Sequence, residues 1–177
     1  VVIDEAYYGF GADTSAPLIE QFDNLLITRS FSKSHALAGL RVGYALGSPD
    51  LIEGLRRVKD SFNSYPVDAH AQAVATAAIA DLDWFKQASA TIVENRADLK
   101  SGLEALGFSV LPSEANFLLA AHPQHTGVQL TEKLREVGIL VRSWSSEDLM
   151  PWARITVGNK SQQQTLLAAL KTIVDGS

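Results

Sequence analysis

Ser30-Phe-Ser-Lys33, followed eight residues after the lysine by Arg41 in Gly39-Leu-Arg-Val-Gly43, sets the class of this chain. It lies between two apolar runs, Leu25-Leu-Ile-Thr28 and Val42 to Leu46, each of which predicts a strand. A loop between strands that carries hydroxyls, glycines, an arginine and a lysine has the makings of an anion site with a nucleophile inside it. Arginine suits a phosphate because its planar fork donates two parallel hydrogen bonds. Ser30 and Ser32 add hydroxyl donors, and Gly39 and Gly43 let the backbone approach a ligand closely. Lys33 is a candidate for covalent catalysis, since a lysine amine attacks carbonyls once desolvation or nearby cations strip its proton. Taken singly, Lys33 also reads as a surface lysine and Arg41 as one arm of a structural ion pair.

Upstream, Val1-Val-Ile-Asp-Glu-Ala-Tyr7 predicts a buried parallel strand over residues 1–6 with Asp4 toward its end. Open α/β sheets bind ligands beyond the carboxyl ends of their strands, so Asp4 points to the expected crevice. A helix cap or a metal ligand are the other uses open to it. Tyr7 stands three residues on, while Glu5 and Tyr8 receive no assignment. The chain opens on this strand without an initiator methionine, which predicts the C-terminal part of a longer protein.

The rest alternates β and α. Ser48 as N-cap with Pro49 behind it predicts a helix carrying Leu51, Ile52, Leu55 and Val58. Further helices are expected over 68–80 and 84–106, the second stopped by Gly107. Strands are then expected over 108–111, 116–121, 139–142 and 154–157, with a helix over 129–137 ended by Gly138. Ser161 and Gln164 predict a capping box for a last helix. The expected division is 1–82 and 83–177, the second part a compact α/β subdomain.

Composition narrows the function. A chain of 177 residues, 46% hydrophobic and 20% charged, is long enough for a real core. A net charge of -5 argues against a nucleic-acid binder, which normally carries a basic stripe. Zero cysteines exclude a disulfide scaffold and a thiolate metal site, and suit a reducing cytoplasm. No apolar run is long enough to span a bilayer. His35, His70, His122 and His125 lack metal-ligand spacing, so no metal is expected. Trp144 and Trp152 read as packing residues.

Asp4-x-Ala-Tyr7, then Ser30-x-Ser-Lys33, then Arg41 resembles, in order and spacing, the fold-type I pyridoxal-phosphate aminotransferases of the aspartate aminotransferase superfamily. The texture of Leu37-Ala-Gly-Leu-Arg41, Ala115-Asn-Phe-Leu-Leu119, Gly138-Ile-Leu-Val-Arg142 and Arg154-Ile-Thr-Val-Gly158 is similar to the histidinol-phosphate aminotransferase family within it. The resemblance implies an α/β fold comprising part of the large cofactor domain plus the C-terminal small domain. It makes Lys33 the Schiff-base lysine, Asp4 the partner of the pyridine nitrogen and Tyr7 the donor to the ring's phenolic oxygen. Ser30, Ser32 and Arg41 then hold the phosphate of pyridoxal 5'-phosphate. Arg154 matches the substrate-anion arginine, Arg142 a second one suited to a phosphate, and Asn116 the margin of the site. As a reading of residues alone, Arg142 is also open to a solvated place at a strand end.

The activity so implied is ping-pong transamination of a small amine against a keto acid such as 2-oxoglutarate, by a cytoplasmic homodimer. Family members carry an N-terminal half with a phosphate loop, a ring-stacking aromatic and an asparagine, so this chain by itself is expected to be weakly active or inactive. Its exposed sheet edge is an expected association surface. Three alternatives stand beside it: an aromatic amino acid aminotransferase, which shares the motifs except for the need of Arg142, a related threonine-phosphate decarboxylase, and, from another class, the effector domain of a transcription regulator built on an aminotransferase fold.

Overall fold

The computed structural model describes residues 1–176 and divides into two compact units, Val1–Ser89 and Ala90–Ser177.

The first unit is built on a three-stranded sheet. β1 (Val2–Asp4) runs parallel to β2 (Leu26–Ser30), and β2 pairs antiparallel with β3 (Gly43–Gly47). The register sets Asp4 beside Thr28 and Ser30 beside Gly43. β1 stops before the expected residue 6 because the chain turns there. The Ala6 N–H donates to Asp4 Oδ1 at 2.9 Å, and the Tyr8 N–H donates to the Glu5 carbonyl at 2.9 Å. β2 instead runs on to Ser30, so the first serine of the lysine motif belongs to the sheet. Leu25, Ile27 and Phe31 are buried beneath it.

α1 (Pro49–Phe62) starts where Ser48 and Pro49 predict, but the Ser48 hydroxyl donates to the Asp23 carbonyl at 2.9 Å instead of capping the helix. α1 buries none of its residues, and Val58 and Phe62 are exposed. α2 (Ala69–Ala80) is capped by Asp68, whose carboxylate accepts from the Ala71 N–H at 2.9 Å. The division between the units falls within α3 (Leu82–Ala105).

The second unit carries the antiparallel sheet β4 (Ser109–Val110), β5 (Phe117–Ala121) and β6 (Trp152–Thr156), in that order. Alternation puts Leu118, Ala120, Ala153 and Ile155 inward. They meet Leu99 and Leu103 of α3, Leu130 and Leu134 of α4 (Gly127–Glu136), and Leu166 and Leu170 of α5 (Lys160–Asp175) in one core. Each fully buried leucine contributes about 1.5–3 kcal/mol relative to exposure. Gly107 and Gly138, both at positive φ, end α3 and α4 as their positions predict.

Two elements differ from what the sequence predicts. The capping box of α5 is formed by Asn159 and Gln162, not Ser161 and Gln164: Asn159 Oδ1 accepts from the Gln162 N–H and Gln162 Oε1 from the Asn159 N–H, each at 2.9 Å. The same spacing occurs twice, two residues apart, and the helix begins at the earlier one. The strand expected over 139–142 is reduced to a single bridge between Arg142 and Arg154, because only Arg142 finds a partner.

Candidate functional site

In the first unit the sheet topology gathers the motif residues at one edge. β1 and β2 are parallel, so both end there, and antiparallel β3 begins there. Asp4 closes β1, Ser30 closes β2, and Arg41 lies two residues before β3. Ser32 and Lys33 sit in the loop between. This is the carboxyl end of the parallel pair, where open α/β sheets take their ligands.

The hydroxyls and the guanidinium form a connected set. Ser30 Oγ accepts from the Ser32 N–H at 3.0 Å, and Arg41 donates to Ser32 Oγ at 3.5 Å and to the Ala38 carbonyl at 2.9 Å. Arg41 is exposed and holds a left-handed backbone, φ 55° and ψ 37°. Such a conformation costs a bulky side chain on the order of 1–3 kcal/mol and persists only where surroundings enforce it. Ala36, in the same loop, is the other non-glycine residue at positive φ among the described residues. Lys33 is exposed, with Nζ 5.6 Å from the centre of the Tyr7 ring. Asp4 is exposed, and the Thr28 hydroxyl donates to its Oδ1 at 3.4 Å.

Aromatic packing supports the lysine loop. Phe31 is buried, with the His35 ring 4.9 Å and the Tyr44 ring 5.4 Å from it, and His35 packs on Phe85 at 4.8 Å. Burial pushes the His35 imidazole below its ordinary range, so it packs as a neutral ring. Gly9, at φ 100°, lies under this cluster, where a Cβ would meet Phe85 Cζ at 2.7 Å and Ser34 Cβ at 3.2 Å.

Glu5 and Arg29, which received no role from the sequence, form a nearly buried ion pair at 2.9 Å, their side chains 9% and 11% exposed. The Thr14 hydroxyl and the Ser15 N–H also donate to Glu5, the latter at 2.6 Å. The Arg29 guanidinium carbon lies 3.6 Å from the Tyr8 ring centre. Burial opposes ionisation of Glu5, but these donors outweigh it and hold the carboxyl below its ordinary range. The available signal was opposite charge at corresponding places on two apolar runs, each next to an assigned residue.

In the second unit, Arg142 and Arg154 face each other. The Arg142 N–H donates to the Arg154 carbonyl at 3.1 Å, and the Arg154 N–H returns the bond at 2.7 Å. Directly opposed residues of an antiparallel pair send their side chains to one face. The Arg154 guanidinium carbon is 5.2 Å from the Phe117 ring centre, and that of Arg142 5.4 Å from Trp144. Asn116 adjoins Phe117, and its carbonyl accepts from the Val157 N–H at 2.9 Å. Among the described residues no cluster of histidine, aspartate or glutamate could hold a metal ion, and no helix is long and apolar enough to cross a membrane.

The sequence matches the aminotransferase class I and II family over residues 1–170. The chain belongs to that family. It is 55% identical over 174 residues to a histidinol-phosphate aminotransferase of Gluconacetobacter diazotrophicus, a match covering 98% of this chain and 49% of that relative. This aminotransferase chain thus spans about half the length of the curated relatives it matches. The fold is that of the solved aminotransferases. The histidinol-phosphate aminotransferase of Clostridium acetobutylicum superposes with a TM-score of 0.89 at 23% identity, over 99% of this chain and 54% of that one. That of Sinorhizobium meliloti, solved in complex with pyridoxal-5'-phosphate, gives 0.86 at 27% identity, over 99% of this chain and 48% of that one.

Proposed function

We propose that this chain is the lysine-bearing part of an aminotransferase that moves the amino group of histidinol phosphate to 2-oxoglutarate, giving imidazole acetol phosphate and glutamate in histidine biosynthesis. The observation that carries the proposal is 55% identity over nearly the whole chain to a protein of that name. Residues 1–82 belong to its large cofactor domain and 83–177 are its small domain. The full-length protein works as a homodimer in the cytoplasm, in line with the cysteine-free sequence and the exposed apolar residues of α1.

The donor set of the first unit fits pyridoxal 5'-phosphate. Two hydroxyls and an arginine already linked to one another suit a phosphate, an exposed amine suits an aldehyde, and an exposed carboxylate tethered through Oδ1 suits a pyridinium. When bound, this cofactor supplies an electron sink for the carbon that loses its proton. Ser30, Ser32 and Arg41 hold its phosphate. Asp4 would pair with the ring nitrogen and favour its protonated form, and Tyr7 would donate to the phenolic oxygen. Lys33 would hold the aldehyde carbon, and once the amine of the substrate displaces it, its Nζ would take the proton from the amine-bearing carbon. Arg154, Arg142 and Asn116 hold the substrate, the arginines at its phosphate, which as a dianion is better met by two guanidinium groups than by one.

The test is glutamate formation from 2-oxoglutarate by the full-length protein. Histidinol phosphate is expected to exceed phenylalanine by at least about tenfold in kcat/KM. A preference for phenylalanine, or release of carbon dioxide from threonine phosphate, overturns the proposal.

A further inference from the structure

We infer that the Glu5–Arg29 ion pair is a positioning device for the cofactor site, acting from the opposite face of the sheet. The inference rests on the pyridoxal phosphate reading above. Asp4 and Thr28 are register partners in β1 and β2, and the Thr28 hydroxyl reaches Asp4. Side chains alternate along a strand, so Asp4, Thr28 and Ser30 share one face, and Glu5 and Arg29 take the other. Each member of the pair is therefore the chain neighbour of a proposed cofactor contact, Glu5 of Asp4 and Arg29 of Ser30.

The pair ties the two strand ends together just beyond their last shared register. The Glu5 N–H donates to the Thr28 carbonyl at 2.8 Å, and the side chains close a second link at 2.9 Å. Arg29 also donates to the Thr14 hydroxyl at 2.6 Å, which donates to both Glu5 oxygens at 2.9 and 3.1 Å. The Tyr8 ring covers the guanidinium at 3.6 Å. A buried charge pair with its donors satisfied has few alternative geometries, and its rigidity passes through one peptide bond to Asp4 and another to Ser30. Neither Glu5 nor Arg29 touches the cofactor in this scheme.

The experiment uses the full-length protein and its Glu5→Gln and Thr14→Val variants. Folded fraction is followed by circular dichroism, the dissociation constant of pyridoxal phosphate by titration of its absorbance, and attachment by borohydride reduction and peptide mapping at Lys33. Glu5→Gln is expected to raise the dissociation constant per folded molecule by about tenfold or more. Thr14→Val, which keeps both charges, is expected to raise it severalfold and decides the matter if Glu5→Gln does not fold. Lowered melting temperature with unchanged affinity per folded molecule overturns the inference, because the pair is then merely structural. Failure of the unaltered protein to label at Lys33 overturns the cofactor reading, and this inference with it. Labelling of the unaltered protein with both variants unchanged overturns this inference alone.

Discussion

Arg142 and Arg154 exchange both backbone hydrogen bonds across a single bridge, which aims two guanidinium groups from one face. Two like charges directly opposed are normally unfavourable in a sheet, and an anion bound by both would relieve them. In the full-length protein, Arg142→Gln is expected to raise KM for histidinol phosphate by roughly ten- to a hundredfold, the loss of one charge-assisted hydrogen bond or two. The KM for phenylalanine should change little. Equal losses on both substrates would show that Arg142 does not sense the phosphate.

The helix cap distinguishes neighbours. Asn159→Ala should lower stability by about 1 kcal/mol, since it removes the acceptor for the Gln162 N–H. Ser161→Ala should leave the melting temperature within about a degree. A larger effect at Ser161 than at Asn159 in thermal unfolding would move the cap back to the later position.

Gly127 opens α4 hard against β6, where a Cβ would collide with the Trp152 carbonyl. Backbone on both sides leaves nothing flexible to yield. Gly127→Ala should cost at least about 1–3 kcal/mol through overpacking, read as a lower midpoint in urea. A neutral outcome would contradict the close approach of α4 and β6.

Acid should destabilise the protein in two stages. Burial lowers the affinity of His125 for a proton, with Lys133 and His122 adding to the effect, and burial does the same for His35. Both groups take up their proton at lower pH when folded than the ordinary 6.5 at which they charge when unfolded, so the stability they contribute is full above 6.5 and is lost as pH falls from there through their lower folded values. Glu5 is shifted below its ordinary 4.5, so its contribution is present above that value and is lost as pH falls through its lower folded value. Urea midpoints are expected to be flat from pH 7 to 8 and to fall from pH 6.5 downward. His125→Gln should shrink the upper stage only. If that variant keeps the full slope near pH 6, the histidine is not its source.

Much of this was legible in the chain because the information is local. The spacing of Asp4, Ser30, Lys33 and Arg41 speaks of one ligand edge, and the sheet does gather them there. The leucines of α3 and α5 announce their core by period alone. What was not legible depended on pairing. Glu5 and Arg29 are 24 residues apart, and only the parallel register brings their charges together. The segment 139–142 has strand composition but lacks a ladder partner except at Arg142, and composition cannot supply one. The two overlapping capping patterns at 159–164 are equally good locally, and where the helix starts decides between them.

The left-handed backbone of Arg41 has a consequence for anyone who sets out to improve this protein. Glycine at that position would relax the main chain, and a library screened for heat resistance alone would find it early. Its guanidinium is one of the three groups proposed to hold the phosphate, so a clone picked for hardiness alone would be one whose grip on its cofactor has loosened.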